Sequence, residues 1–124
     1  MSTELDKHRK KFDKELKSGL LSMLVLLAIK SEGKDTYGYR IIKTLETGSK
    51  GKFKFPEGTV YPILSSLSTK GLVKNHWGDS KEGPRRKYYQ ITPLGKKVLS
   101  VYLEDWKEVS SLTNGMIQNM GDLK

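Results

Sequence analysis

The sequence contains no cysteine, which excludes disulfides, thiolate metal sites and cysteine nucleophiles and is compatible with a reducing compartment. It also lacks a long apolar run. The most hydrophobic stretch, Leu20 to Ile29, is about ten residues long and contains Ser22, whereas a bilayer-spanning helix needs roughly 20. The stretch therefore predicts a buried helix and no membrane partner. A charged segment precedes it and no small-residue cleavage site follows, so no signal peptide is expected and the cytoplasm is the expected location. Only two histidines occur, His8 and His76, far apart and outside any metal-ligand or triad pattern. Gly48, Gly51 and Gly58 are not followed by the Lys-Ser or Lys-Thr pair of a phosphate loop. These gaps argue against an enzyme and leave no residues for a cofactor or metal.

What is present fits one globular unit: 124 residues, 35% hydrophobic and 30% charged. The net charge of +9 is concentrated in the middle of the chain. Residues 50–97 carry eleven basic and three acidic side chains, whereas residues 98–124 carry two and four. Such asymmetry points to a polyanion-facing surface in the centre and a different task for the last segment. Ordinary solubilising charge is the alternative explanation.

Residues 4–17 are charged, with Leu5, Phe12 and Leu16 as the large apolar side chains, and read as an amphipathic helical segment. From Ser18 the chain is apolar on nearly every side, which predicts the central core helix, ended by Glu32-Gly33-Lys34-Asp35. Thr36 is the expected N-cap of a second helix with Tyr37, Ile41, Ile42 and Leu45 at helical spacing, stopped by Gly48 to Gly51. A third helix carries Val60, Ile63, Leu64 and Leu67 as a one-faced stripe. Pro62 requires it to begin near Pro56–Thr59, and Gly71 supplies its left-handed terminus. Val73 to Trp77 and Lys87 to Ile91 have strand period around a turn-rich link, so they predict a hairpin. Thr92-Pro93 then opens a final helix running to about Met120, roughly 42 Å long and longer than so small a core can cover. The expected fold class is α+β, mainly α: a winged helix-turn-helix at residues 18–92, an N-terminal helical segment at 1–17 and a C-terminal dimerisation helix at 93–124.

In that arrangement the third helix enters the major groove of DNA. Opposite its core stripe lie Thr59, Tyr61, Pro62, Ser65, Ser66, Thr69 and Lys70, short hydroxyls and a phenol able to approach base edges and phosphates. A solubilising face would carry Glu and Lys pairs instead. The hairpin tip adds Lys81, Arg85, Arg86 and Lys87, suited to phosphates or the minor groove. Charge guarding an edge hairpin against aggregation is the competing account of the tip.

Three segments together resemble the PadR-like transcriptional regulators. They are Tyr37-Gly38-Tyr39-Arg40-Ile41; Gly58 to Leu67 with Gly71-Leu72-Val73; and Gly83-Pro84-Arg85-Arg86-Lys87-Tyr88-Tyr89-Gln90-Ile91-Thr92. Val60 stands where that family often has leucine, a conservative departure. The single last helix resembles the smaller branch of the family. The resemblance implies a homodimeric winged-helix regulator, usually a repressor, bound to a pseudo-palindromic operator. It places Tyr37, Thr59, Tyr61 and Pro62 in the recognition segment and Pro84, Arg85 and Arg86 at the wing tip.

The last helix bears an apolar stripe of Val98, Tyr102, Trp106, Val109, Met116 and Met120, which calls for a partner helix. The expected dimer face is Leu99, Tyr102, Trp106, Val109, Leu112 and Met116. In some PadR-like proteins the dimer cavity binds flat aromatic ligands, and Leu103-Glu104-Asp105-Trp106 resembles the helix that offers a tryptophan there. Tyr102 and Trp106 are thus the candidates for effector binding, with relief of repression by that small molecule as its consequence. Trp106 as a plain interface anchor is the other reading. Two alternatives to DNA binding stay open at this level: a winged-helix module used for protein contacts, and an RNA binder. The second is disfavoured because Tyr88 and Tyr89 lie on a hairpin without the usual stacking motif.

Overall fold

The computed structural model describes residues 3–80 and 83–121. The elements in chain order are α1 (Glu4–Glu32), β1 (Thr36–Tyr37), α2 (Gly38–Gly48), α3 (Glu57–Thr69), β2 (Val73–Gly78), β3 (Arg86–Ile91) and α4 (Pro93–Met120). The strands form one antiparallel sheet in the order β1-β3-β2. This is the mainly helical winged-helix arrangement that the hydrophobic periodicity predicts.

α1 begins at a reciprocal cap: the Thr3 hydroxyl accepts from the Asp6 N–H, and the Asp6 carboxylate accepts from the Thr3 N–H. It ends at Gly33, whose φ of 67° suits a residue without Cβ. Between those ends the charged segment and the apolar stretch are one continuous helix, since Gly19 alone is too mild a breaker to divide them. Arg40 at the start of α2 donates from Nε to Glu32 Oε1 at 2.8 Å, and that carboxylate raises the already high pKa of the guanidinium.

The structure corrects the role of Thr36. It is not the N-cap of α2 but half of β1, paired with Tyr89 as Tyr37 is paired with Tyr88. Tyr37, extended at φ −136°, occupies the N-cap position. The free edge of β3 captures the two residues before the helix, so pairing wins over capping. Thr36 is fully buried, and its Oγ1 has no hydrogen-bond partner among the described residues.

The core joins Val25, Leu26 and Ile29 of α1 to Ile41, Val60, Leu64, Leu67, Tyr89 and Leu99. Leu99 was expected on the dimer face, and this too is corrected: at 1% exposure it has no surface to offer another chain. The reason is the close seating of the first turns of α4. The Thr92 hydroxyl accepts from the Gly95 N–H and donates back to the Gly71 carbonyl at 2.7 Å. A Cβ at Gly95 would collide with the Leu72 carbonyl, so only glycine lets the helix approach this closely. Beyond Tyr102 and Leu103, which are half-buried, α4 runs clear of the core. Among the described residues no helix is long and apolar enough to cross a membrane.

Candidate DNA-binding interface

The buried stripe of α3 turns its other side outward. Thr59, Tyr61, Pro62, Ser65, Thr69 and Lys70 are exposed there, and Ser66 is half-buried. Tyr61 leans back over the start of α2, where a Cβ on Gly38 would run into its ring. Partial burial, with the Glu57 charge second, pushes the Tyr61 phenol up from its ordinary range. Asn75 on β2 donates from Nδ2 to the Ser68 hydroxyl at 2.9 Å and ties the hairpin to α3.

The hairpin pairs Trp77 with Lys87 and Gly78 with Arg86 at its outer end. Near the tip, the Ser80 hydroxyl donates to the Pro84 carbonyl at 2.8 Å. The three cations of the strand end are each held. Arg85 donates from Nη2 to the Trp77 carbonyl at 3.3 Å, and its Nε lies 3.6 Å from Asp79. The Arg86 guanidinium sits 4.2 Å from the centre of the Tyr37 ring, and Lys87 lies over Trp77 at 5.8 Å. Lys81 lies outside the described residues.

Between α2, α3 and the hairpin opens a cleft of about 440 Å³. Tyr37, Tyr61, Ser65, Arg85, Arg86 and Lys87 line it together. Thr59, Pro62, Ser66 and Lys70 stay on α3 outside the cleft, and Pro84 is exposed at the hairpin tip. Sequence reasoning missed three aromatic members, Tyr39, Trp77 and the largely buried Tyr89. Trp77 shares the inward strand period of Val73 and Asn75 yet is 57% exposed, because the core ends before it. An aromatic at the outermost inward position of a basic hairpin is the signal that could have found it. The arrangement offers cations for phosphates, hydroxyls for base edges and flat rings for sugars or thymine methyls.

A second concavity, about 560 Å³, lies between α1 and α4 and shares no lining residue with the cleft. Leu16, Leu20 and Met23 face Tyr102, Trp106 and Val109 across it. Both effector candidates therefore stand in one apolar groove.

Residues 25–101 match the family model described as the transcriptional regulator PadR-like family. An uncharacterised protein of Lysinibacillus sphaericus is 33% identical over 87 residues, which cover 70% of this chain and 80% of that protein. Among solved structures, a PadR family transcriptional regulator from Eggerthella lenta superposes with a TM-score of 0.79 at 26% identity, covering 94% of this chain and 97% of its own. A PadR-like transcriptional regulator from Bacillus cereus gives a TM-score of 0.71 at 29% identity, covering 84% and 97%. The chain therefore belongs to the PadR-like transcriptional regulator family and is a DNA-binding regulator of transcription rather than an enzyme.

Proposed function

We propose that this chain is a cytoplasmic, homodimeric repressor that reads a pseudo-palindromic operator with α3 and the wing and lets go when a small planar aromatic molecule binds. The observation that carries the DNA reading is the cleft, where residues from three elements bring Tyr37, Tyr61, Ser65 and the cations Arg85 to Lys87 to one surface. Thr59, Pro62, Ser66 and Lys70 extend that surface along α3, with Pro84 at the wing tip and Lys81 a further candidate contact from the sequence.

In this reading residues 18–92 hold the DNA and residues 93–124 hold the partner. Tyr102, Trp106, Val109, Leu112 and Met116 supply the dimer face of α4, while Leu99 serves the core. The exposed Leu5, Phe12 and Leu16 extend the apolar surface along α1, and an apolar surface of this extent favours association. The N-terminal half of α1, with a small basic excess, also complements the acidic middle of α4 at Glu104, Asp105 and Glu108. Effector binding rests on the groove beside Tyr102 and Trp106, which is apolar and open enough for a flat ring.

Selection of bound duplexes from a random pool tests the core of the proposal. A pseudo-palindrome with two half-sites one helical turn apart is expected, and recovery of no enriched sequence would support the protein-contact alternative. Calorimetric titration with planar aromatic compounds, with and without DNA, tests the groove: saturable binding that weakens DNA affinity is expected, and silence across a broad set would leave Trp106 an interface anchor.

A further inference from the structure

We propose that a stack of three rings, Tyr37, Tyr88 and His76, one from each strand, fixes the angle of the wing and presents Arg86 to DNA. Tyr88 and His76 then act as positioning residues for DNA binding without touching it. The proposal rests on the reading of the wing as a DNA contact.

Register places the three side chains together. His76 and Tyr37 are the direct cross-strand partners of Tyr88 on either side, and direct partners share one face of a sheet. That face is opposite the one on which Tyr89 enters the core. The Tyr88 ring lies 5.7 Å from His76, stacked at 20°, and 5.8 Å from Tyr37, edge to face at 77°. Contacts hold both ends of the row. His76 Nε2 lies 3.3 Å from Asp35 Oδ2, just before β1, and the Arg86 guanidinium covers the Tyr37 ring at 4.2 Å. Tyr88 Oη donates to the Asp79 carbonyl at 3.4 Å. Gly78 makes room for the row, since a Cβ there would come within 3.0 Å of the Tyr88 ring.

The need for such a brace follows from the architecture. A two-stranded ribbon beyond a core twists more freely than a broad sheet. Here the third strand that could restrain it, β1, is only two residues long. Backbone pairing alone gives little lateral hold, whereas a row of rings crossing all three strands links the hairpin to the segment leading into α2. The same row holds the Arg86 guanidinium over Tyr37, and a contact with a ring face uses none of the five N–H donors that a phosphate would take.

The test is a set of variants of the full chain titrated with a random-sequence duplex at several salt concentrations. Arg86→Ala is expected to weaken binding about tenfold and to reduce the slope of log K against log salt by about 0.9, the loss of one phosphate contact. Tyr88→Leu is expected to reproduce most of both changes. His76→Ala, at a half-exposed position that does not threaten the core, is expected to shift both in the same direction by about threefold in affinity. Tyr88→Phe keeps the ring and should bind like the parent. In the Arg86→Ala background, Tyr88→Leu should add nothing further, an outcome that general destabilisation would not produce. Additive losses in that double variant, or an unchanged salt slope in both Tyr88→Leu and His76→Ala, would overturn the proposal. If Arg86→Ala itself binds like the parent, the wing reading fails first and takes the brace with it.

Discussion

Gly38 and Tyr61 depend on each other at the scale of single residues. The ring fills the space a side chain on Gly38 would need, so the glycine determines where the phenol of α3 lies. Gly38→Ala is expected to cost about 1–3 kcal/mol through overpacking and to weaken DNA binding severalfold by displacing Tyr61. Urea unfolding read beside a DNA titration checks both effects. A second expectation concerns alkaline stability. Burial raises the pKa of Tyr89, with Tyr61 second, as it does that of Tyr61. The folded state therefore keeps phenolic protons that the unfolded chain releases near pH ~10. The associated stability is fully present below that pH and is lost as pH rises through the higher folded values. Unfolding free energy should fall more steeply above pH ~10 in the parent than in a Tyr61→Phe, Tyr89→Phe double variant.

Among the elements, α4 changes role along its length. Its first turns are core, so Leu99→Ala should cost about 2–5 kcal/mol at any protein concentration. Its outer turns are exposed, so Leu112→Glu should leave the unfolding of the monomer nearly unchanged and shift sedimentation of the proposed dimer towards monomer. Residue 99 was misassigned from sequence because an apolar stripe shows a face without showing which chain covers it. By contrast, the helix limits were legible wherever a residue has a stereochemical duty: Gly33 and Gly71 at positive φ, Pro93 in a first turn, Thr92 as a cap. β1 was hidden because two residues carry no period, and its pairing partner lies about fifty residues away. The polar face of α3 was readable from spacing. The cleft was not, since it needs the hairpin paired with β1 to bring Trp77 and Arg86 beside Tyr37.

For the whole molecule, the distribution of charge matters more than its total. The surplus of residues 50–97 falls on the link before α3, on Lys70 at the end of that helix, on the hairpin and on the first turns of α4, while the C-terminal stretch is acidic. DNA affinity should consequently fall with log salt at about 0.9 per phosphate neutralised, while the proposed association of two copies through apolar side chains should respond far less. If α1 and α4 pair two copies, the midpoint of thermal unfolding should rise with protein concentration. Calorimetric scans over a hundredfold dilution check this, and a constant midpoint would argue for a monomer.

The chain has two tryptophans, and they stand on different working surfaces: Trp77 beside Lys87 in the cleft, and Trp106 in the groove between α1 and α4. Each surface thus carries its own intrinsic chromophore. Trp77→Phe would leave an emission spectrum that reports only the groove, and Trp106→Phe one that reports only the wing. Binding of DNA at the cleft and of the proposed effector at the groove could then be timed separately in the same solution, without any attached label.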